Sequence, residues 1–373
     1  MGILTARISG VAFYTGLVLA LGSCGGGADS GPTTEPVVRF TPTCTGLSCA
    51  FSDRSTDTRP IISRVWDFGD GSGSTEVNPA HTYTHVGSFT VRLTVEDDAG
   101  ATGSSSNAVT LSEAAVVFVG AGDISGCNPE NQDGATAELI KALPTAQVFA
   151  LGDNAYPDGA AADYACYEAT WGAFKDRTHP VPGNHEYHQA RAAPYFAYFG
   201  AAAGAAGVGY YSFDLGTWHV IALNSETGVS EQVTWLHADL AAHPAACTLA
   251  YWHRPFFTSG AVHHPYSAMR PIWDALQAAG AEIVLSGHNH QYERFAPQLS
   301  NGTASTKGIR QFVVGTGGFH SLYDFVTPPK PNSEVRYQGF GVLKLTLAAT
   351  GYSWEFLPVH GSSFTDTGTG DCH

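Results

Sequence analysis

Four short polar motifs, each containing Asp or His, come directly after four apolar runs of this 373-residue chain. The motifs are Gly122-Asp123, Gly152-Asp153-Asn154-Ala155-Tyr156, His253 and Gly287-His288-Asn289-His290. The apolar runs have the length and composition of buried strands. Because the carboxyl ends of parallel strands meet at one edge of an open α/β sheet, ligands commonly bind there. The pattern therefore predicts an α/β domain with a polar site at that edge.

The same reasoning predicts the main elements of the domain after residue 112. We expect strands at Ala115–Val119, Ala146–Leu151, Gly209–Phe213, His219–Asn224, Cys247–Trp252, Glu282–Leu285, Arg310–Val314, Gly341–Leu347 and Tyr352–Phe356. We expect helices at Ala135–Leu143, Glu231–Ala242 and Pro271–Ala279. The first helix and its two flanking strands form a predicted βαβ unit, and the last two strands a final antiparallel hairpin.

The first residues of the chain resemble an export signal. An apolar stretch, Val11–Gly22, follows Arg7 and is too short to span a bilayer. It ends in Leu21-Gly22-Ser23-Cys24, which is similar to the bacterial lipobox, in which the cysteine carries the lipid. An ordinary cleaved signal is the alternative. We expect a signal peptide at residues 1–24, a flexible linker at 25–36, and an exported protein that is a cell-envelope lipoprotein, periplasmic or secreted.

Without Cys24, an even number of cysteines is left, as expected for disulfides in an exported chain. They are Cys44, Cys49, Cys127, Cys166, Cys247 and Cys372. Six cysteines can pair in many ways. The pairing of sequence neighbours is favoured because Cys44 and Cys49 lie in one small domain, and Cys127 and Cys166 flank two of the motifs. Free buried thiols are the alternative.

Residues 37–113 show short alternating runs separated by Gly, Asp and Asn, which indicates a small all-β sandwich. Trp66-Asp67-Phe68-Gly69-Asp70-Gly71-Ser72 and Gly87–Val95 resemble the PKD family of immunoglobulin-like modules. Trp66 and Phe68 are expected to point inward, with a tight turn at Asp70 and Gly71. A calcium or ligand site made by Asp67 and Asp70 is the alternative to turn chemistry. Other proteins or polysaccharide are the expected contacts of this module.

A fifth motif, Val181-Pro182-Gly183-Asn184-His185-Glu186, lies in a loop between the others. In this order the five motifs resemble the calcineurin-like metallophosphoesterase superfamily, and within it the purple acid phosphatases, across Val116–Pro358. The resemblance implies an α+β or α/β fold, a four-layer α/β sandwich at residues 114–360, followed by a C-terminal tail at 361–373. It also implies hydrolysis of phosphate esters.

The resemblance further implies two metal sites that share one carboxylate. Asp123, Asp153, Tyr156 and His290 are expected to bind the first metal, and Asn184, His253, His288 and the shared Asp153 the second. A phenolate ligand requires a strongly Lewis-acidic ion, so we expect Fe(III) at the first site. The second ligand set suits a divalent ion, Zn, Fe or Mn.

One motif departs from the family pattern, because the usual Gly-Asp-x-Gly reads Gly122-Asp123-Ile124-Ser125. There is also no His two residues after Asp123, so Tyr156 completes the first ligand set. This difference favours the purple acid phosphatases over the phosphodiesterase branch.

Three further histidines are catalytic candidates by the same resemblance. His185 is expected to act as general acid, while metal-bound hydroxide attacks the phosphorus. His263 and His264 resemble an outer-sphere pair, with a solvated loop as the alternative. We expect Glu186 to orient His185, and Arg254 and Tyr292 to be scaffold or the rim of the substrate site.

The sequence therefore predicts an exported phosphomonoesterase with an acidic optimum, acting on a small phosphate ester and tethered to a membrane if Cys24 carries lipid. The alternatives are a phosphodiesterase or nucleotidase on the same metals, and a surface adhesion protein with an inactive scaffold. With 18 Lys and Arg against 33 Asp and Glu, the net charge of -15 leaves no basic surface for nucleic acid.

Overall fold

The computed structural model describes residues 34–373. The predicted signal peptide, Cys24 and most of the linker therefore lie outside the described residues. The chain divides into two compact units, which are treated separately below.

The N-terminal unit is a small β-sandwich. Its strands are β1 (Phe40–Thr45), β2 (Ser48–Asp53), β3 (Ile61–Asp67), β4 (Gly73–Ser74), β5 (Ala80–Thr82), β6 (Gly87–Asp97) and β7 (Thr102–Leu111). They form sheets of order β1-β2-β5 and β4-β3-β6-β7. Trp66 is buried with Phe40 and Phe51, whose ring centroids lie 5.1 and 5.6 Å from it. An aromatic core of this kind lets so small a unit bury enough apolar surface.

Asp67 and Asp70, the two candidate residues for a calcium or ligand site, both stabilise the turn between β3 and β4. Asp67 Oδ1 accepts a hydrogen bond from Gly69 N, and Asp70 Oδ1 accepts one from Ser72 N. These are the local bonds by which Asp stabilises turns. The contacts therefore match the turn interpretation.

The C-terminal unit alternates strands with short helices. Its strands are β8 (Val116–Ala121), β9 (Ser125–Gly126), β10 (Gln147–Leu151), β11 (Ala155–Tyr156), β12 (Thr178–Val181), β13 (Tyr211–Leu215), β14 (Trp218–Ala222), β15 (Cys247–Tyr251), β16 (Ile283–Ser286), β17 (Tyr292–Phe295), β18 (Arg310–Val314), β19 (Ser333–Tyr337), β20 (Gly341–Ala348), β21 (Gly351–Pro358) and β22 (Thr367–Asp371). Its α-helices are α1 (Asp133–Lys141), α2 (Tyr164–Ala169), α3 (Ala193–Phe199), α4 (Val229–Ala242) and α5 (Arg270–Ala278).

Two mixed sheets face each other in this unit. One has the order β12-β10-β8-β20-β21-β22 and the other β13-β14-β15-β16-β18-β17-β19. The ring centroids of Phe118 on β8 and Tyr251 on β15 lie 6.0 Å apart. The main hydrophobic core therefore lies between the two sheets. A second core joins the seven-stranded sheet to α4 and α5 through Leu236 and Trp273. The predicted layered α/β sandwich is thus confirmed.

The site-forming strands lie side by side. Strand β8 pairs in parallel with β10, and β10 with β12. In the other sheet β14, β15, β16 and β18 are also parallel neighbours. Both faces of β14 and β15 are buried, which explains why their sequences are continuously apolar rather than alternating. Their carboxyl ends therefore point toward the same side of the unit.

The predicted hairpin forms from β20 and β21, but it is not the final element. The C-terminal segment expected as a tail contains β22, which pairs antiparallel with β21. Its sequence, Thr367-Gly368-Thr369-Gly370-Asp371, has no apolar side chain and so gives no strand pattern. A Cβ on Gly368 would lie 2.2 Å from the indole of Trp354. The glycine lets the aromatic ring of β21 cover the edge strand.

The six cysteines of the described chain form three disulfides, and the favoured pairing is confirmed. Cys44 bonds to Cys49, Cys127 to Cys166, and Cys247 to Cys372. The last disulfide ties the chain end beyond β22 to the start of β15. Among residues 34–373, no helix has the length and apolarity needed to cross a membrane.

Candidate metal centre

The loops that follow β8, β10 and β16 hold three of the predicted ligands in an unusual backbone conformation. Asp123, Asp153 and His288 have φ of 59°, 49° and 70°. Non-glycine residues rarely adopt this left-handed region, and such residues cluster at functional sites. The close packing of the three loops holds these conformations and turns the side chains toward one point.

Three of the four predicted ligands of the first metal surround the phenol of the fourth, Tyr156. Its hydroxyl donates to Asp123 Oδ1 at 2.9 Å and lies 3.2 Å from Asp153 Oδ2. The same hydroxyl is 3.1 Å from His290 Nε2, which is itself 3.3 Å from Asp123 Oδ1. We call Asp123, Asp153, Tyr156 and His290 the first half-site. All four residues are buried.

The predicted ligands of the second metal converge on the ring of His253. Its Nε2 lies 3.2 Å from Asn184 Oδ1, 3.2 Å from Asp153 Oδ2 and 3.0 Å from His288 Nδ1. We call Asp153, Asn184, His253 and His288 the second half-site. Asn184 is the one partly exposed member of this group.

Asp153 belongs to both half-sites through a single oxygen atom. Its Oδ2 is 3.2 Å from Tyr156 Oη on one side and 3.2 Å from His253 Nε2 on the other. Its Oδ1 accepts a hydrogen bond from His185 N at 2.8 Å, which fixes the carboxylate plane. The arrangement brings all seven predicted ligands together around one carboxylate.

Two imidazoles are oriented by backbone carbonyls. His253 Nδ1 lies 2.8 Å from Leu151 O, and His290 Nδ1 lies 2.6 Å from Ser321 O. A ring that donates Nδ1–H to a carbonyl presents the Nε2 lone pair on its other side, the usual arrangement of a metal-binding histidine. Both Nε2 atoms here face the half-sites.

The electrostatics of the centre favour positive charge. Burial lowers the pKa of His253. The charge of Asp153 and the hydrogen bond between the two side chains outweigh this effect and raise the pKa to about 10. Burial raises the pKa of the Asp153 carboxyl, yet His253 holds it well below its usual range. In the absence of another cation, the proton on His253 thus neutralises Asp153. A metal ion bound at this point would replace that proton.

Glycines allow the loops to approach the carboxylates. A Cβ on Gly183 would lie 2.3 Å from Asp153 Oδ1, and one on Gly287 would lie 2.8 Å from Asp123 Oδ2. Real Cβ contacts are not this short, so a side chain at either position would displace the carboxylate beside it. The motif glycines therefore serve the close packing around the ligand oxygens.

The donor set fits two metal ions of different character. The first half-site offers two carboxylates, a phenol and an imidazole, which suits a hard, highly charged cation. The second offers the shared carboxylate, an amide oxygen and two imidazoles, a set that suits divalent transition metals. Buried carboxylates of this density require compensating positive charge.

His185 stands at the edge of the first half-site. Its ring centroid lies 4.3 Å from that of Tyr156, and its Nε2 is 3.8 Å from Asp153 Oδ2. The other ring nitrogen, Nδ1, is hydrogen-bonded to Pro157 O. The side chain is partly exposed, so it faces both the centre and solvent.

The predicted histidine pair separates in the structure. His263 stacks on the ligand ring of His288, with centroids 3.9 Å apart and an interplanar angle of 24°. His264 is exposed and, within residues 34–373, forms no hydrogen bond or ring contact with the centre. His263 is therefore placed beside the second half-site, whereas a role for His264 stays a prediction.

Glu186 does not orient His185, contrary to the sequence-based expectation. Its fully buried carboxylate accepts hydrogen bonds from Gly183 N at 2.7 Å, Asp153 N at 2.9 Å and Asn154 N at 2.8 Å. Burial, followed by the charge of Asp153, raises the pKa of this carboxyl to about 7. Glu186 holds together the two loops that carry Asp153 and Asn184.

Three further residues lie against the centre: Arg254 was expected to be scaffold or rim, whereas Phe319 and Tyr323 were not identified from the sequence. Arg254 bridges the centre to Glu226, because its Nη1 lies 3.1 Å from His288 Nε2 and its Nε donates to both Glu226 oxygens at 2.9 Å. Phe319 stacks on Tyr156 with ring centroids 3.7 Å apart, and Tyr323 stacks on His290 with ring centroids 4.2 Å apart. The two aromatic residues follow a Gly-rich turn that no ligand pattern marks.

A second cluster of His and Asp lies on β14 and α4 and has a structural explanation. His219 Nδ1 lies 2.9 Å from Asp214 Oδ1, and His219 Nε2 lies 2.9 Å from Asp239 Oδ2. Both ring nitrogens are thus already engaged by carboxylates. His243 stacks on the outer side of His219 with centroids 5.0 Å apart. The cluster ties the helix to the sheet.

Comparison with known proteins finds one family model for each part of the chain. The family model described as PKD domain matches residues 30–111, and the one described as calcineurin-like phosphoesterase matches residues 116–292. Purple acid phosphatase 22 of Arabidopsis thaliana is 34% identical over 142 residues, 35% of this chain and 32% of that protein. Pre-pro-metalloprotease PrtV of Vibrio cholerae is 47% identical over 72 residues, 18% of this chain and 8% of that protein.

The fold has a counterpart among solved structures. Purple acid phosphatase PPD1 from yellow lupin (Lupinus luteus) seeds superposes with a TM-score of 0.62 at 17% identity, covering 90% of this chain and 74% of that one. The chain spans about a third of the length of Arabidopsis purple acid phosphatases 22 and 21. The expected resemblance is confirmed: the chain joins a PKD domain to a domain of the calcineurin-like phosphoesterase family, with purple acid phosphatases among its relatives.

Proposed function

We propose that this protein is an exported phosphoesterase that hydrolyses phosphate monoesters at a two-metal centre. The observation that carries the proposal is the shared Asp153 oxygen, 3.2 Å from both Tyr156 Oη and His253 Nε2. Two cations on either side of one carboxylate are suited to clamping a phosphate ester. The similarity to purple acid phosphatases supports the reaction class.

The two half-sites would hold different ions. Asp123, Asp153, Tyr156 and His290 would bind Fe(III), because two carboxylates and a phenolate together offset a trivalent charge. Asn184, His253 and His288, with the shared Asp153, would bind Zn, Fe(II) or Mn(II). When bound, the pair supplies Lewis acidity to the phosphate ester and to the attacking water.

His185 is the candidate general acid. Its contact with Pro157 O fixes the ring, so that Nε2 faces the centre and can donate a proton to the leaving oxygen of the ester. His263, which stacks on His288, would contact the phosphate ester at the second half-site. His264 follows it on the same exposed loop and is proposed as a more distant contact for the alcohol portion of the substrate.

Export is supported by the cysteine chemistry. Three disulfides require an oxidising compartment in most organisms. The N-terminal signal-like segment, with Cys24 as the site of lipid attachment, would deliver the chain there. The PKD domain would contact other proteins or polysaccharide outside the cell.

Turnover of p-nitrophenyl phosphate and of its bis-ester by metal-loaded, natively purified protein tests the proposed reaction. We expect the monoester to be hydrolysed with the higher kcat/KM, and the rate to rise toward acidic pH. A preference for the diester would identify a phosphodiesterase instead. Hydrolysis of neither ester, in protein that contains both metals, would favour an adhesion protein built on an inactive scaffold.

A further inference from the structure

Tyr323 lies directly against the first half-site without belonging to it. Its backbone N–H donates to His290 O at 3.1 Å, and its ring stacks on the His290 ring with centroids 4.2 Å apart and an interplanar angle of 15°. The edge of the ring also meets His263, at 5.4 Å between centroids. Tyr323 therefore contacts His290 of the first half-site and His263, which lies beside the second half-site.

Among the residues that the structure describes, none pairs with the hydroxyl of Tyr323. Within residues 34–373 it forms no hydrogen bond, and the side chain is only partly buried. A tyrosine phenol is protonated at neutral pH, so this hydroxyl is available as a hydrogen-bond donor.

The neighbouring ring shows that stacking alone does not require a hydroxyl. Phe319 covers Tyr156 with centroids 3.7 Å apart and an interplanar angle of 13°. Phe319 and Tyr323 thus make the same kind of contact with two residues of one half-site, and only Tyr323 carries a polar group. The Tyr323 hydroxyl is therefore a candidate contact for a ligand bound at the centre.

We propose that Tyr323 is a substrate-binding residue whose phenol O–H donates a hydrogen bond to a phosphoryl oxygen of the ester held at the metal centre. This inference rests on the proposed phosphoesterase function and names a residue of its substrate site. A phosphoryl oxygen is a charged acceptor, and hydrogen bonds to charged groups are stronger than those between neutral groups. Inorganic phosphate, the product, presents the same oxygens.

The test compares Tyr323→Phe with Tyr337→Phe. Tyr337 is the control because its hydroxyl donates to Ser362 Oγ at 2.9 Å and has no part in the site. Phosphate binding is measured by the shift of Tm with inorganic phosphate, which requires no turnover, and by inhibition of p-nitrophenyl phosphate hydrolysis. We expect Tyr323→Phe to keep its metal content and to bind phosphate roughly tenfold more weakly, with a matching rise in KM. Tyr337→Phe should behave as the wild type.

Two outcomes would overturn the inference. Tyr323→Phe with full metal content and wild-type phosphate affinity would show that the hydroxyl contacts no phosphoryl oxygen. Loss of metal from Tyr323→Phe, with phosphate affinity per loaded site unchanged, would make the residue a support of His290. If the wild type itself neither binds phosphate nor hydrolyses the ester, the proposed function fails, which is distinguishable from both results.

Discussion

Tyr156 sets the character of the first half-site. Burial, followed by the charges of Asp123 and Asp153, raises the pKa of its phenol well above the usual range. The residue would therefore stay a neutral phenol unless a cation lies against its oxygen. Binding as phenolate beside two carboxylates demands a highly charged ion, which is the physical basis for placing Fe(III) there.

Replacement of Tyr156 by Phe tests this assignment. We expect the natively purified wild type to show a visible charge-transfer band between tyrosinate and ferric iron, and Tyr156→Phe to lack it. Tyr195→Phe is the matched control, because Tyr195 is a buried tyrosine whose hydroxyl donates to Pro180 O at 3.0 Å. A colourless wild type, or a band that survives in Tyr156→Phe, would contradict a ferric ion at this half-site.

Residues with short-range signals could be predicted from the sequence, and those without could not. The candidate ligands lie in motifs directly after apolar strands, so their convergence follows from sheet topology. Glu186 lies in one of these motifs, but its acceptor role depends on backbone amides of Asp153 and Asn154, more than thirty residues earlier. Tyr323 meets His290 only through the path of a loop, which no periodicity encodes.

At the scale of elements, hydrogen bonds to His219 join α4 to the seven-stranded sheet. The ring lies on β14 and is 1% exposed, between Asp214 of β13 and Asp239 of α4. Asp239 also accepts a hydrogen bond from Ser212 Oγ at 2.7 Å. Removal of the imidazole would leave the buried Asp239 carboxylate without its main partner.

We expect His219→Ala to lower the free energy of unfolding by about 3 kcal/mol, because a buried carboxylate that loses its partner is strongly destabilising. His237→Ala is the control, since this exposed histidine of α4 lies outside the cluster and should change the free energy by less than about 0.5 kcal/mol. Urea unfolding at neutral pH measures both. Equal midpoints for the two variants would show that the cluster does not tie α4 to the sheet.

The elements that the sequence predicts are those with an apolar pattern of their own. Helices α1, α4 and α5 and the paired strands β20 and β21 lie within two residues of their predicted bounds. Strands β19 and β22 were not predicted, because Ser333–Tyr337 is half polar and Thr367–Asp371 has no apolar residue. Both lie at sheet edges and contain no buried residue, so burial imposes no apolar alternation on their sequences.

At the scale of the molecule, the chain joins a PKD domain to a phosphoesterase domain. The disulfide between Cys127 and Cys166 links the loop after Asp123 to α2, and therefore braces the region around the first half-site. Cys247 and Cys372 secure the start of β15, the strand that leads to His253. The covalent links thus stabilise the elements that carry both half-sites, and their number fits the proposed export of the protein.

The metal content of natively purified protein tests the proposed two-metal centre most directly, when it is determined for the wild type, His253→Ala and His237→Ala. His237 is an exposed histidine of α4 and serves as the control. We expect two metal ions per chain, one of them iron, in the wild type and in His237→Ala. In His253→Ala we expect retention of the iron, loss of the divalent ion and loss of nearly all hydrolysis. Two ions and full activity in His253→Ala, or a single ion in the active wild type, would contradict a two-metal centre that includes His253.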